Sequence, residues 1–205
     1  MSIRAARRAA TREAILTAAH ELVSERGWAG ANVVDVSRRA GIATGSIYRH
    51  FPSKGALCAE VFNRAGDREA ELMAGITTGE GSASDRLAAA IETFCRRALA
   101  APILTHALLT EPVDPDVEEA RLRNKRRHRK VFAALLREGA DAGEFAPLDP
   151  PVVASALVGA MQEALADGGN DATVATLVSF ALNAVNANAK EPAHGHHRPR
   201  SRRHA

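Results

Sequence analysis

Thr44, Gly45, Ser46, Tyr48, Arg49 and His50 bring hydroxyls, a phenol, a guanidinium and an imidazole into one short stretch, with Lys54 just beyond and Asn32 just before. Hydroxyls and an arginine fork are groups that read base edges in a major groove. A fork on guanine discriminates by about 1–3 kcal/mol. Thr44, Ser46 and Arg49 suit base edges or nearby phosphates, whereas Tyr48, His50 and Lys54 suit phosphates, where they would set register without reading sequence. Gly45 removes a side chain where a backbone would approach DNA closely. Asn32 can cap a helix and leave backbone N–H groups there for phosphate. On spacing alone the same residues also describe a short polar helix after a glycine turn, with His50 as a surface or capping histidine.

The elements that would carry these groups follow from apolar spacing and breakers. Val33, Val36, Ala40, Ile42, Ile47 and Phe51 give two short helices a shared inner face across a Gly41-Ile42-Ala43 turn. That is helix-turn-helix spacing, in which the first helix braces the second so that its outer face can enter the major groove. Ahead of it, Thr11 as N-cap, Glu13 in the first turn and Ile15, Ala18, Ala19, Leu22 and Val23 at helical intervals predict a helix over about 11–26, stopped by Gly27. Residues 1–10, with Arg4, Arg7 and Arg8, read as a flexible basic arm. Asn32 caps the second helix and Gly41 stops it; Thr44 opens the third and Pro52 ends it. Ser53 caps a long fourth helix bearing Leu57, Val61, Leu72 and Met73, which breaks at the stretch 77–84. Further helices are expected at about 84–100, 102–110, 115–138, 151–167 and 172–188, separated by Pro102, Pro112, Pro115, residues 141–151 and the paired glycines at 168–169. No strand alternation is long enough to compete, so the expected fold is all-α with about nine helices. The last two are nearly devoid of charge, and a helix apolar on most sides needs two partners. One would lie in its own subunit and the other elsewhere: a second copy of the chain is the preferred reading, and a central place in the domain core the alternative.

Charge separates along the chain. Residues 1–64 hold ten Lys and Arg against five Asp and Glu (+5), residues 65–189 twelve against eighteen (−6), and residues 190–205 five against one (+4). A basic head and tail flanking an acidic body is the asymmetry of a protein that meets a polyanion with one part. Apolar residues at 46% and charged residues at 25% exclude general disorder, and aromatics at 4% favour helices over sheets. No apolar run is long enough to span a bilayer and no signal-peptide core follows the start. A cytoplasmic protein without a membrane partner is expected. Cys58 and Cys95, without metal-ligand spacing, read as buried free thiols, and no metal or other cofactor is expected.

The run from Gly27 to Leu57 resembles the signature of the TetR family of transcriptional regulators: glycine plus an aromatic, a short helix ending Ala-Gly, then Gly-x-hydrophobic-Tyr-x-His-Phe and a lysine three residues on. The matching positions are Gly27, Trp28, Ala40, Gly41, Gly45, Ile47, Tyr48, His50, Phe51 and Lys54. Asn32 stands where the family usually has threonine, which keeps the cap, and Val34 where some members place a groove-facing polar residue. The resemblance covers residues of about 10–60. It implies a sequence-specific transcriptional regulator, a repressor released from a palindromic double-stranded operator by a small-molecule effector. It further implies a homodimer joined through the last two helices. The expected organisation is then a DNA-binding helix-turn-helix domain at 11–56, a helical ligand-binding and dimerisation domain at 57–189, and a disordered basic tail at 190–205.

Other features carry less. Arg121 to Lys130 holds seven cations beyond Asp114, Asp116, Glu118 and Glu119 and reads as a solvated helix face, with Arg126 or Arg129 turned inward toward an anionic ligand as the alternative. Phe94, Phe132, Phe145 and Phe180 are the body's aromatics, which favours an aliphatic or modest-sized ligand over a stacked planar one. His194, His196 and His197 in the tail lack a framework for metal. A nonspecific architectural DNA binder would use the same basic segments without an operator. A helical enzyme is disfavoured by the lack of a phosphate-cradling, metalloprotease or nucleophile motif, and His20 and His106 read as ordinary packed or surface residues.

Overall fold

Serines, an asparagine, an aspartate and prolines decide where the helices begin. The computed structural model describes residues 2–166 and 168–186, and among them the chain forms nine helices and no strand. They are α1 (Ile3–Gly30), α2 (Val33–Arg39), α3 (Thr44–Ile47), α4 (Lys54–Thr77), α5 (Ala83–Ala100), α6 (Pro102–Leu109), α7 (Pro115–Asp141), α8 (Pro150–Ala166) and α9 (Asp171–Asn186). Asn32, Ser53, Ser82 and Asp114 each accept a backbone N–H of the helix they precede, satisfying one of its orphan donors. Pro102 and Pro115 sit in the first turns of α6 and α7, where the missing N–H is harmless.

The apolar faces assemble two cores. In the head, Ile15, Leu16 and Leu22 of α1 meet Val36 of α2, Ile47 and Phe51 around α3, and Leu57 and Val61 of α4. In the body, Leu87 and Ile91 of α5, Phe132, Leu135 and Leu136 of α7, Leu157 and Met161 of α8 and Val174 and Ala181 of α9 form the second core. Ala107 of α6 and Val117 of α7 belong to the head core, so the body supplies part of the floor on which the head sits. The expected boundary between residues 56 and 57 falls inside α4, whose first half packs in the head and whose Met73 packs in the body.

The expected arm at 1–10 is a correction. Residues 3–10 continue α1 without a break, capped by Ser2, which accepts from the Ala5 N–H at 3.2 Å. Alanine and arginine are strong helix formers, and Ala5, Ala6, Ala9 and Ala10 let the helix run on although no core-facing residue advertises it. Thr11 is therefore not the N-cap; its hydroxyl donates to the Arg7 carbonyl at 3.0 Å in mid-helix. The other end of α1 breaks as Gly27 implied: Gly27 has φ 69°, ψ −176°, a left-handed excursion that glycine tolerates. The tail at 190–205, with His194, His196 and His197, lies outside the described residues.

Candidate nucleic-acid interface

One side of the α3 segment is held in the head core through Ile47 and Phe51, 1% and 3% exposed, while Tyr48 on the other side is 53% exposed. Arg49 and Gly45 are exposed as well, and Thr44, Ser46 and His50 are half-buried. A Cβ built on Gly45 would meet nothing within 4 Å, so the glycine opens the outer face.

Hydrogen bonding divides the six residues into braces and free groups. Buried Ser37 of α2 gives its single proton to the Val34 carbonyl at 2.8 Å. Its 2.8 Å contact with the Thr44 hydroxyl must then be donated by Thr44. Thr44 thus fixes the angle between α2 and α3 and keeps only acceptor capacity for DNA, a narrower role than its position suggested. Arg49 donates through Nη2 to the Ser46 hydroxyl at 2.6 Å, so these two form one polar unit. Asn32 uses both ends of its amide locally: Oδ1 accepts the Asp35 N–H at 2.9 Å and Nδ2 donates to the Asp35 carboxylate at 2.8 Å. Lys54, exposed at the start of α4, donates to the Trp28 carbonyl at 3.4 Å and so stands on a different anchor from the α3 residues.

His50 carries a buried Nδ1 with no hydrogen-bond partner. Burial, and then the nearby Arg8, Arg12 and Arg49 guanidinium groups, hold its pKa below the ordinary histidine value. Arg12 also lies over the Phe51 ring, 4.9 Å from its centroid. The helical N-terminus brings in cations that sequence reasoning assigns to a loose arm. A cleft of about 780 Å³ lies between α1 and α3, bordered by Arg4, Arg7, Arg8, Ser46, Arg49 and His50. The signal available in the sequence is the spacing of Arg4, Arg7 and Arg8 among alanines, which puts them within one turn of each other on a helix.

Behind the interface, the kink at Gly27 frees two backbone donors, and Glu111 takes both. Its carboxylate accepts the Trp28 N–H at 2.9 Å and the Ala29 N–H at 2.8 Å. Trp28 Nε1 donates to the Ala107 carbonyl at 2.7 Å, and its ring stacks 6.4 Å from that of Phe62. Arg121 of α7 holds the same segment from behind, donating to the Leu108 and Glu111 carbonyls at 3.0 and 2.8 Å. Trp28 and Glu111 lie 83 residues apart in sequence, and no local pattern marks the pair.

In the body, the Arg121–Lys130 run is a solvated face. Arg121 pairs with Glu118, Arg123 with Glu119, and Arg127 with Asp67 of α4. Arg126 is exposed and Arg129 half-buried, so neither is the inward-facing residue; Asn124 and His128 are, at 7% and 8% exposure. His128 sits edge-on to Phe94, with Nε2 unpartnered, and burial pushes its pKa down. Phe132 and Phe145 are locked in the core. Cys58 and Cys95 are buried free thiols, each raised to about 11 by burial. No helix among the described residues is long and apolar enough to cross a membrane.

Comparison with known proteins agrees with this arrangement. Residues 15–61 match the model for bacterial regulatory proteins of the tetR family, and residues 80–165 match that for the tetracyclin repressor-like C-terminal domain. The HTH-type transcriptional regulator UidR of Escherichia coli (strain K12) is 30% identical over 142 residues, covering 67% of this chain and 70% of that protein. Among solved structures, the transcriptional regulator FadR from Bacillus subtilis in complex with stearoyl-CoA superposes with a TM-score of 0.71 at 22% identity, over 84% of this chain and 97% of that one. RolR in complex with resorcinol gives 0.68 at 21% identity, over 90% and 92%. With a helix-turn-helix head seated on a helical body, and with both halves matched in sequence, the chain belongs to the TetR family of DNA-binding transcriptional regulators.

Proposed function

We propose that this chain is a repressor that binds a palindromic operator as a homodimer and leaves it when a small molecule occupies the body. The observation that carries the DNA half is the α3 segment: an inner face buried in the head core and an outer face of open Gly45, exposed Tyr48 and the Ser46–Arg49 unit. Ser46 and Arg49 would read bases. Tyr48, His50 and Lys54 would hold phosphates, and Thr44 and Asn32 would act mainly by fixing α2 and α3, with Gly45 allowing close approach.

The dimer reading rests on α8 and α9. α9 packs inward through Val174, Leu177, Ala181 and Val185, leaving Phe180 47% exposed on a face without a charged side chain from Ala172 to Asn186. Val152 of α8 is 62% exposed. Pairing these faces between two copies would set the separation of the two α3 segments, which must be about 34–36 Å to reach successive major grooves. A ligand that prefers a body shape with another separation lowers DNA affinity by its differential affinity for the two shapes. The ligands bound to FadR and RolR, proteins of this fold, support an effector of this kind.

The test is selection of bound fragments from the source genome, followed by fluorescence anisotropy at physiological salt on the selected and scrambled duplexes. Ser46→Ala or Arg49→Ala should change which sequence is preferred, whereas Tyr48→Phe and Lys54→Ala should weaken both duplexes by similar factors. Equal binding to selected and scrambled DNA would overturn the reading in favour of a nonspecific architectural protein.

A further inference from the structure

We propose that the cavity beneath the Gly27 kink is a binding site for an organic ammonium ion, and that capture of the ion by Glu111 loosens the head. This rests on the reading that a ligand in the body controls DNA binding, and it names the site and the ligand class. The cavity, about 670 Å³, is within the size range of small-molecule sites. Leu99, Ile103 and Leu165 give it an apolar wall, and Glu111 stands at one end.

The electrostatics select a cation. Glu111 accepts two backbone N–H groups but has no ion-pair partner among the described residues, and a carboxylate has lone pairs for further donors. The last turns of α5 and α8, at Ala98–Leu99 and Leu165–Ala166, both border the cavity, and each helix C-terminus carries about half a negative charge. Against these stand the first turn of α6 and Arg26. The Arg26 guanidinium is drawn to Asp35 of α2, 3.6 Å away. His106, also on the cavity, is hydrogen-bonded through Nδ1 to the Thr110 hydroxyl at 2.8 Å. The balance is negative beside an apolar wall, which complements an ammonium group on a hydrocarbon body.

The consequence of occupancy follows from the same carboxylate. Glu111 is a wall of the cavity and at the same time the acceptor that joins α6 to Trp28 and Ala29 of α1. An ammonium hydrogen-bonding to it competes with those two N–H donors. Because a Cβ on Gly27 would lie 2.6 Å from Glu111 Oε2, the carboxylate is seated tightly against the kink and cannot turn toward a ligand without changing that contact.

Trp28 is the chain's single tryptophan, so its fluorescence reports on the joint directly. The full chain is titrated with n-octylammonium, n-octanol and n-octanoate below their micellar concentrations, with and without selected operator DNA. The expected result is a saturable change in Trp28 emission at concentrations at least tenfold lower for the ammonium than for the other two, with a matching loss of operator affinity. Glu111→Gln should remove the preference. Ile103→Lys, which puts an ammonium on the exposed wall of the same cavity, should abolish the response to added ammonium, and decides the matter even where Glu111→Gln folds poorly. Equal responses to the three probes, or an ammonium preference that survives either substitution, would overturn the proposal. Selective DNA binding without an ammonium response overturns this site alone, whereas loss of selective DNA binding in the untreated protein would overturn the regulator reading.

Discussion

Gly66→Ala tests how α4 is coupled to the body. α4 passes α7 at Gly66, where a Cβ would lie 2.6 Å from Asn124 Oδ1 and closer still to Cγ and Nδ2. Asn124 is 7% exposed and its Nδ2 makes one long bond, 3.4 Å, to the Phe62 carbonyl, so its amide has little room to retreat. Forcing a methyl group into such a contact costs about 1–3 kcal/mol. Replacing glycine by alanine within a helix returns roughly 1 kcal/mol. The net expectation for Gly66→Ala is a loss of up to about 2 kcal/mol, each 1 kcal/mol lowering Tm by about 2–4 °C for a chain of this size. In an Asn124→Ala background the obstructing amide is gone, and the same substitution should stabilise by up to about 1 kcal/mol. The sign therefore reverses, giving a coupling of about 1–3 kcal/mol in a double-mutant cycle. Urea denaturation of the four proteins, followed by circular dichroism, measures it. A Gly66→Ala effect of the same sign and size in both backgrounds would show that the close approach of α4 to α7 does not limit stability.

Other expectations follow from individual groups. His128 has its pKa held below the ordinary value, chiefly by burial and then by Arg127, against a backbone hydrogen bond at Asn124 that raises it. Its contribution to stability is therefore present above about pH 6.5 and lost as pH falls below that through the folded value. Tm measured from pH 7.5 to 5 should fall less steeply in His128→Gln, and an unchanged slope would rule out this group as a source of acid sensitivity. Combined replacement of Arg4, Arg7 and Arg8 by alanine should reduce the slope of log K against log salt by about 0.9 for each phosphate no longer neutralised, whereas an unchanged slope would remove α1 from the interface. Phe180→Glu should shift sedimentation toward monomer and weaken operator binding with it; a dimer that persists at micromolar concentration would place the interface elsewhere.

Much of this architecture is readable because its signals are local. Pro102, Pro115, Asn32 and Ser53 mark helix starts by chemistry that acts over a single turn, and Ile47 and Phe51 declare the inner face of the α3 segment by spacing alone. The first turns of α1 escape such a reading because all of residues 2–10 are exposed and offer no apolar periodicity, so propensity has to be weighed without a core to support it. The inward residues of α7 escape it for the opposite reason. Charge density draws attention to Arg126 and Arg129, while the polar Asn124 and His128 carry the buried face. The division of Thr44, a brace, from Ser46, a proposed base reader, depends on where the Ser37 proton goes, and Glu111 meets Trp28 only once α6 is folded against α1. Such pairings are set by the tertiary structure.

Residues 3–26 of α1 make an unbroken rod of about 36 Å at ~1.5 Å per residue. Its pivot is the Gly27 kink, gripped by Glu111, and its far end carries Arg4, Arg7 and Arg8. A tilt of about 5° at the pivot carries that end through about 3 Å, the length of a hydrogen bond. Because Ile15, Leu16 and Leu22 fasten the head core to the same rod, α3 travels with it. The geometry is that of a lever: a small displacement at α6 would be magnified at the face of α3 proposed to meet DNA.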